Sequence, residues 1–208
     1  MERIFVTGIS TEVGKTMASA ILVEALQADY WKPVQAGDLE FSDSDKVRAL
    51  ISNPHSVIHP NAYALKTPMS PHAAAERDGI RIALDQITAP ATDNTLVIEG
   101  AGGLLVPLND TDTILDLIRP GYHVVVVSRH YLGSINHTLL TLECLRLKGF
   151  EPFLLYSGDR HPSTESIIES KTGARVLGRI GEQEAFTREV VLEEAKRLRP
   201  VLRGYHLL

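Results

Sequence analysis

The residues best suited to chemistry lie near the amino terminus, in Gly8-Ile9-Ser10-Thr11-Glu12-Val13-Gly14-Lys15-Thr16. A glycine-bounded loop that leaves a strand and opens a helix turns backbone N–H groups toward phosphates, its lysine reaches the β/γ-phosphates, and the next hydroxyl binds Mg²⁺. Such loops usually carry four residues between the glycines. Here there are five, so the loop is a variant. The pattern predicts a nucleoside-triphosphate site with Lys15 as its charge and Thr16 as a metal ligand.

A second chemical segment is Thr95-Leu96-Val97-Ile98-Glu99-Gly100-Ala101-Gly102-Gly103. An apolar run delivers the Glu99 carboxylate at its end, and the glycines let backbone approach a ligand closely. Beside a phosphate loop, Glu99 reads as a ligand of Mg²⁺. In Ser42-Asp43-Ser44-Asp45 the metal candidate is Asp45, while Asp43 or Ser44 reads as a helix-capping residue. Lys32, in Tyr30-Trp31-Lys32-Pro33-Val34, would bring a compact positive charge to an anionic intermediate or a transferring phosphoryl group.

These residues need a scaffold. Short apolar runs at Ile4–Thr7, Tyr30–Val34, Thr95–Ile98, His123–Val127, Phe153–Tyr156 and Val176–Ile180 alternate with helical patterns at Lys15–Leu26, Ser44–Ile51, Thr113–Ile118, Ser134–Leu147 and Arg188–Leu198. Continuous apolar runs suit strands covered on both faces. The alternation predicts an α/β domain, residues 1–208, with a mostly parallel sheet and a ligand site beyond the carboxyl ends of the strands. The stretch 53–71, broken by Pro54, Pro60, Pro68 and Pro71, reads as a long surface excursion, and 159–169 gives no clear element.

Composition removes several function classes. The chain has 208 residues, 44% of them apolar, with 21 Lys+Arg against 26 Asp+Glu and a net charge of -5. That balance offers no cationic footprint for a nucleic-acid backbone. One cysteine, Cys144, cannot form an internal disulfide and falls in an apolar helical pattern, so it reads as a packing residue. No export signal is visible, and no apolar run approaches the roughly 20 residues that span a bilayer. A cytoplasmic protein is expected.

Six stretches, in order, resemble the dethiobiotin synthetase family: Val6–Thr16, Lys32–Gly37, Ser44-Asp45, Ser70–Ala74, Glu99–Gly103 with Val106-Pro107, and Leu132–His137. The resemblance implies a single-domain P-loop fold with helices flanking the sheet, and a homodimer with sites near the subunit interface. It also implies ATP-dependent carboxylation and ring closure of 7,8-diaminopelargonic acid with CO₂, with Mg²⁺ as cofactor. By the same resemblance Glu12, Val13, Gly14, Lys15, Thr16, Met17, Glu99, Gly100, Ala101 and Gly102 line the nucleotide. Thr16, Asp45 and Glu99 surround the metal, and Lys32 and Lys15 are catalytic. Thr11, Lys32, Ala36, Ser70 and Pro71 meet the diamine, while Gly133, Ser134, Ile135 and Asn136 reach the partner subunit's substrate tail. His72 reads either as part of the diamine loop or as a helix-start residue.

Two departures from the family pattern stand out. Ala36 takes the place of a hydroxyl residue, and Tyr156-Ser157-Gly158-Asp159 lacks an asparagine tied to adenine recognition, as Arg179-Ile180-Gly181-Glu182 lacks a nearby proline. A partition-type ATPase is the main rival. That family's loop carries an early lysine where this chain has Ile9 and Ser10. Cobyrinate-type amide synthetases need a glutaminase domain for which 208 residues leave no room. A homologue that only binds nucleotide is the remaining alternative.

Overall fold

The computed structural model describes residues 1–208. Its seven-stranded sheet contains β1 (Arg3–Gly8), β2 (Asp29–Trp31), β4 (Ile58–His59), β6 (Leu96–Gly103), β7 (His123–Arg129), β8 (Phe153–Ser157) and β9 (Arg175–Ile180). The order is β4-β2-β6-β1-β7-β8-β9, and every pairing is parallel. The valines Val124 to Val127 are buried on both faces of β7, which is why their run shows no polar alternation.

The helices are α1 (Lys15–Leu26), α2 (Asp43–Leu50), α3 (Pro71–Arg77), α4 (Ser134–Leu147), α5 (Pro162–Thr172) and α6 (Arg188–Gly204). Helices α1 and α4 keep the expected limits. The α6 helix runs six residues beyond the expected Leu198 and takes in Pro200. The stretch at 113–118 is a short 3₁₀ turn, Ile114–Leu117, closed by a Thr113–Asp116 capping box. The unplaced segment near 159–169 forms most of α5, with Pro162 in its first turn, where a missing N–H is harmless. None of the helices is long and apolar enough to cross a membrane.

The expected strand Tyr30–Val34 divides. β2 ends at Trp31, Pro33 cannot donate to a ladder, and Val34–Ala36 leaves as β3 to pair in parallel with β5 (Tyr63–Leu65) in a separate two-stranded sheet. The carbonyl of Pro33 accepts the N–H groups of Ala62 and Tyr63, and the Asn61 amide donates to the Lys32 carbonyl. The 53–71 excursion therefore carries two strands and braces the break. Lys32 sits at the break itself.

Candidate active site

Register brings the charged groups together. Trp31 pairs with Ile98 and Val6 with Glu99, so Lys32 emerges beside Glu99, with the Gly8–Gly14 loop leaving the neighbouring strand. The β1–β6 ladder then shifts between Val6 and Gly8, where the chain turns into the loop. Ile9 N–H donates to the Val127 carbonyl and anchors that turn on β7. A Cβ at Gly8 would lie 2.6 Å from Val13 and 2.9 Å from the Ser10 carbonyl, so only glycine admits this path. Gly14, with φ of 92°, takes the N-cap position of α1.

Glu99 is the hub of a buried charge network. Its Oε1 accepts from Thr16 Oγ1 and from Lys32 Nζ, each at 3.0 Å, and its Oε2 accepts from the Tyr30 hydroxyl at 2.9 Å. Lys32 also lies 2.8 Å from Asp43 Oδ2, and Lys46 lies 3.1 Å from Asp43 Oδ1. Burial opposes charge on Lys32, but Glu99 and Asp43 outweigh it and raise its pKa, so the ammonium persists. Burial pushes Asp43 upward, yet Lys32 and then Lys46 hold it down to about 2. Burial together with Glu99 lifts Tyr30 well above the ordinary phenol value, leaving a neutral donor.

Lys15 is different. Burial first, and the charge of Lys32 second, pull its pKa down to about 8, against the opposing pull of Glu99 and Asp43. Its ammonium donates to the Ser10 carbonyl at 2.9 Å within the loop. An anion beside it would restore the full charge, which is the behaviour a phosphate-binding lysine needs.

A groove of about 820 Å³ runs along these residues. Of the residues singled out from sequence, Thr11, Glu12, Gly14, Lys15, Thr16, Met17, Lys32, Ala36, Ser70, Pro71, Glu99, Ala101 and Gly102 line it. Val13 is buried beneath the loop instead. Gly100 packs near Phe5 and Ile114 and offers its carbonyl to Lys32 at 3.4 Å. His72 is exposed on α3 outside the groove, and Cys144 packs half-buried against the core. Gly133, Ser134, Ile135 and Asn136 open α4 one short loop beyond Arg129, outside the groove of a single chain.

Asp45 requires correction. Its Oδ2 accepts from the Ser42 N–H at 3.0 Å and the Ser42 hydroxyl at 2.6 Å, and Arg48 holds Oδ1 at 2.6 Å. This is a capping box at the start of α2. Two residues along a helix means a turn of about 200°, so only one of the two aspartates faces the groove. That one is Asp43.

The comparisons with known proteins agree with this geometry. A family model described as an AAA domain matches residues 2–190. The ATP-dependent dethiobiotin synthetase BioD of Christiangramia forsetii is 57% identical, covering 94% of this chain and 95% of its own. That of Cytophaga hutchinsonii is 52% identical over 95% of this chain and 97% of its own. The chain belongs to the dethiobiotin synthetase family.

Solved structures share the P-loop fold at much lower identity. A ParA family ATPase from Chlorobium tepidum has a TM-score of 0.56 at 13% identity, covering 98% of this chain and 93% of its own. The MinC:MinD cell division complex of Aquifex aeolicus gives 0.56 at 14% identity, covering 96% of each chain. These likenesses concern the fold alone. The partition-type rival therefore has shape on its side, whereas the dethiobiotin synthetase family has the sequence.

The groove also gathers residues that motif reading did not single out as site residues. Gln35 and Asp38 come from β3 and the turn after it, Asp43 and Lys46 from the first turn of α2, and Pro68 and Met69 from the 53–71 excursion, whose folding no local pattern foretold. Arg129, Ser157, Gly158, Gly181, Glu182 and Phe186 form the far wall, with Arg129 Nη2 at 3.0 Å from both Glu182 oxygens. Strand ends at β7, β8 and β9 were the available signal, because ligands of parallel sheets collect there. In this dethiobiotin synthetase family member, the segment noted for its missing asparagine is thus part of the groove wall.

Proposed function

We propose that the groove binds MgATP along the Gly8–Thr16 loop and converts 7,8-diaminopelargonic acid and CO₂ to dethiobiotin, ADP and phosphate. The observation that carries this reading is Lys32, buried between Glu99 and Asp43 and opening onto the same groove as the phosphate loop. Thr16, Glu99 and Asp43 are hard oxygen donors, a sparse set of the kind Mg²⁺ uses when phosphates complete its shell. Bound there, Mg²⁺ would neutralise phosphate charge.

One amine of the diamine takes up CO₂ as a carbamate. A carbamate oxygen then takes the terminal phosphoryl group of ATP, ADP departs, and the neighbouring amine attacks the carbamoyl carbon. The C–O bond to phosphate breaks and the attacking nitrogen loses its proton. Phosphoryl transfer of this type asks the protein mainly to position reactants and to hold positive charge where negative charge develops. Lys15 faces the phosphates. Lys32, locked between two carboxylates, faces the carbamate, with Thr11, Ala36, Ser70 and Pro71 around the diamine.

The reading extends to a homodimer whose partner uses Gly133–Asn136 to reach the substrate tail. Support comes from Leu132, wholly exposed beside that segment, and from exposed Leu140 and Leu147, seven residues apart along α4. A cytoplasmic location suits an enzyme supplied with ATP and CO₂. The direct test is mass-spectrometric detection of the cyclic urea after incubating the protein with diamine, bicarbonate and MgATP. Product and ADP are expected only when diamine and bicarbonate are both present; ADP formation indifferent to both rejects the reading.

The aspartate assignment has its own test. Asp43→Asn is expected to raise the Mg²⁺ concentration for half-maximal rate at least tenfold. Asp45→Ala should instead cost about 1 kcal/mol of stability through the lost cap, with the Mg²⁺ requirement unmoved. Magnesium titrations and denaturant unfolding of both variants check the pair, and the reverse pattern would return the metal to Asp45.

A further inference from the structure

We infer that Asp38 is the counter-ion for the substrate amine that is not carboxylated, and so selects a diamine over a single amine. The inference rests on the function proposed above and adds a residue that neither motif nor family resemblance supplied.

The segment after β3 is built to aim this side chain. Gly37 and Asp38 both adopt left-handed backbone, with φ of 76° and 52°. Gly37 is clamped there, because a Cβ on it would lie 2.5 Å from the Pro68 side chain, while its N–H donates to the Leu65 carbonyl at 2.8 Å. The turn closes when Phe41 N–H donates to the Asp38 carbonyl at 3.2 Å. A non-glycine residue in this region carries strain, and aspartate is among the few side chains that tolerate it. Strain at a groove residue is a reason to ask what its side chain does.

The chemistry answers. Asp43 is paired with Lys32 and Lys46, Glu99 with Lys32 and Glu182 with Arg129; of the groove carboxylates without such a cation, Glu12 belongs to the phosphate loop and Asp38 follows Ala36. Asp38 is exposed and lines the same groove as Pro68 and Ser70, two residues after Ala36, the position that lacks the family's hydroxyl. The substrate brings the missing charge. An aliphatic amine has a pKa near 10, so an amine not engaged with CO₂ enters the groove as an ammonium. A carboxylate at Asp38 binds it by a charge-assisted hydrogen bond and positions the second nitrogen, which gives up one ammonium proton to the carboxylate or to solvent before it attacks and a second as the ring closes.

The test combines two variants with calorimetric binding and steady-state kinetics. Asparagine also tolerates left-handed backbone, and glycine relieves the strain outright. Asp38→Asn and Asp38→Gly are both expected to fold, with Asp38→Gly at least as stable as the parent. Both should raise the KM for diamine about 10- to 100-fold, leaving the KM for MgATP within about twofold, as befits one lost charge-assisted contact. Direct binding supplies the decisive comparison, using single-amine analogues of the same chain, each lacking one of the two amines. The parent should prefer the diamine over one of these analogues by the same 10- to 100-fold, and the variants should bind the two alike. Retained discrimination in Asp38→Asn, or a loss that Asp38→Gly restores, overturns the inference. Failure of the parent to make any cyclic urea overturns the proposed function instead, so the two outcomes are separable.

Discussion

Lys32→Met is expected to lower turnover by about 10² to 10³-fold, the scale seen when one preorganised donor at a developing negative charge is removed. The same substitution should also destabilise the protein. Lys32 is 4% exposed and Glu99 1% exposed, so removing the ammonium leaves a carboxylate buried without its principal counter-charge. Breaking such a pair costs about 3–5 kcal/mol. Lost activity alone would therefore not distinguish chemistry from unfolding. Comparing the double variant Lys32→Met/Glu99→Gln with Glu99→Gln alone separates them, because both lack the buried carboxylate, keep one amide oxygen for Thr16 or Tyr30, and differ only at Lys32. Denaturant unfolding should show most of the stability regained in the double variant, and single-turnover measurements should show its turnover far below that of Glu99→Gln alone. Turnover equal to that of Glu99→Gln alone would make Lys32 a structural ion and remove it from the reaction.

How much of this site was legible beforehand depends on whether local sequence could hold the information. Helix α1 and the phosphate loop were legible, because strand, glycine, lysine and helix entry are contiguous and state their geometry within a few residues. Glu99 was legible for the same reason, at the carboxyl end of an apolar run. The aspartates were not. Ser42-Asp43 and Ser44-Asp45 repeat the same dipeptide, and the choice between them is made by the rotational phase of α2, which depends on Ser42 capping that helix and on Lys32 arriving from another strand. The strand through Tyr30–Val34 failed at Pro33 because redirecting β3 requires a distant partner, β5, inside a stretch with no periodicity. Asp38 escaped notice for a related reason. An acidic residue after a glycine looks like any solvated turn until Pro68, some thirty positions later, fixes where the turn points.

The other large effect concerns the loop. Gly14→Ala is expected to weaken MgATP binding by about 100-fold or more, equivalent to about 2.7 kcal/mol, while the fold survives. Two separate penalties meet at this residue. Its φ of 92° is strained for any side chain, at about 1–2 kcal/mol. A Cβ would in addition lie 2.7 Å from Ser157 Oγ at the end of β8. Either penalty is relieved by rotating the peptide that leads into Lys15, which turns the loop N–H groups away from the phosphates they should face. Gly121→Ala isolates the first penalty. Its φ is 88° and nothing lies within 4 Å of the added carbon, so it should cost comparable stability yet leave nucleotide binding unchanged. Ser157→Gly in the Gly14→Ala background isolates the second, and should recover part of the affinity because the collision is gone while the strain remains. Calorimetric titration of the three variants with MgADP reads the result. If Gly14→Ala binds as tightly as the parent, the loop does not grip phosphates through its backbone, and the mechanism would have to be rebuilt on side chains alone.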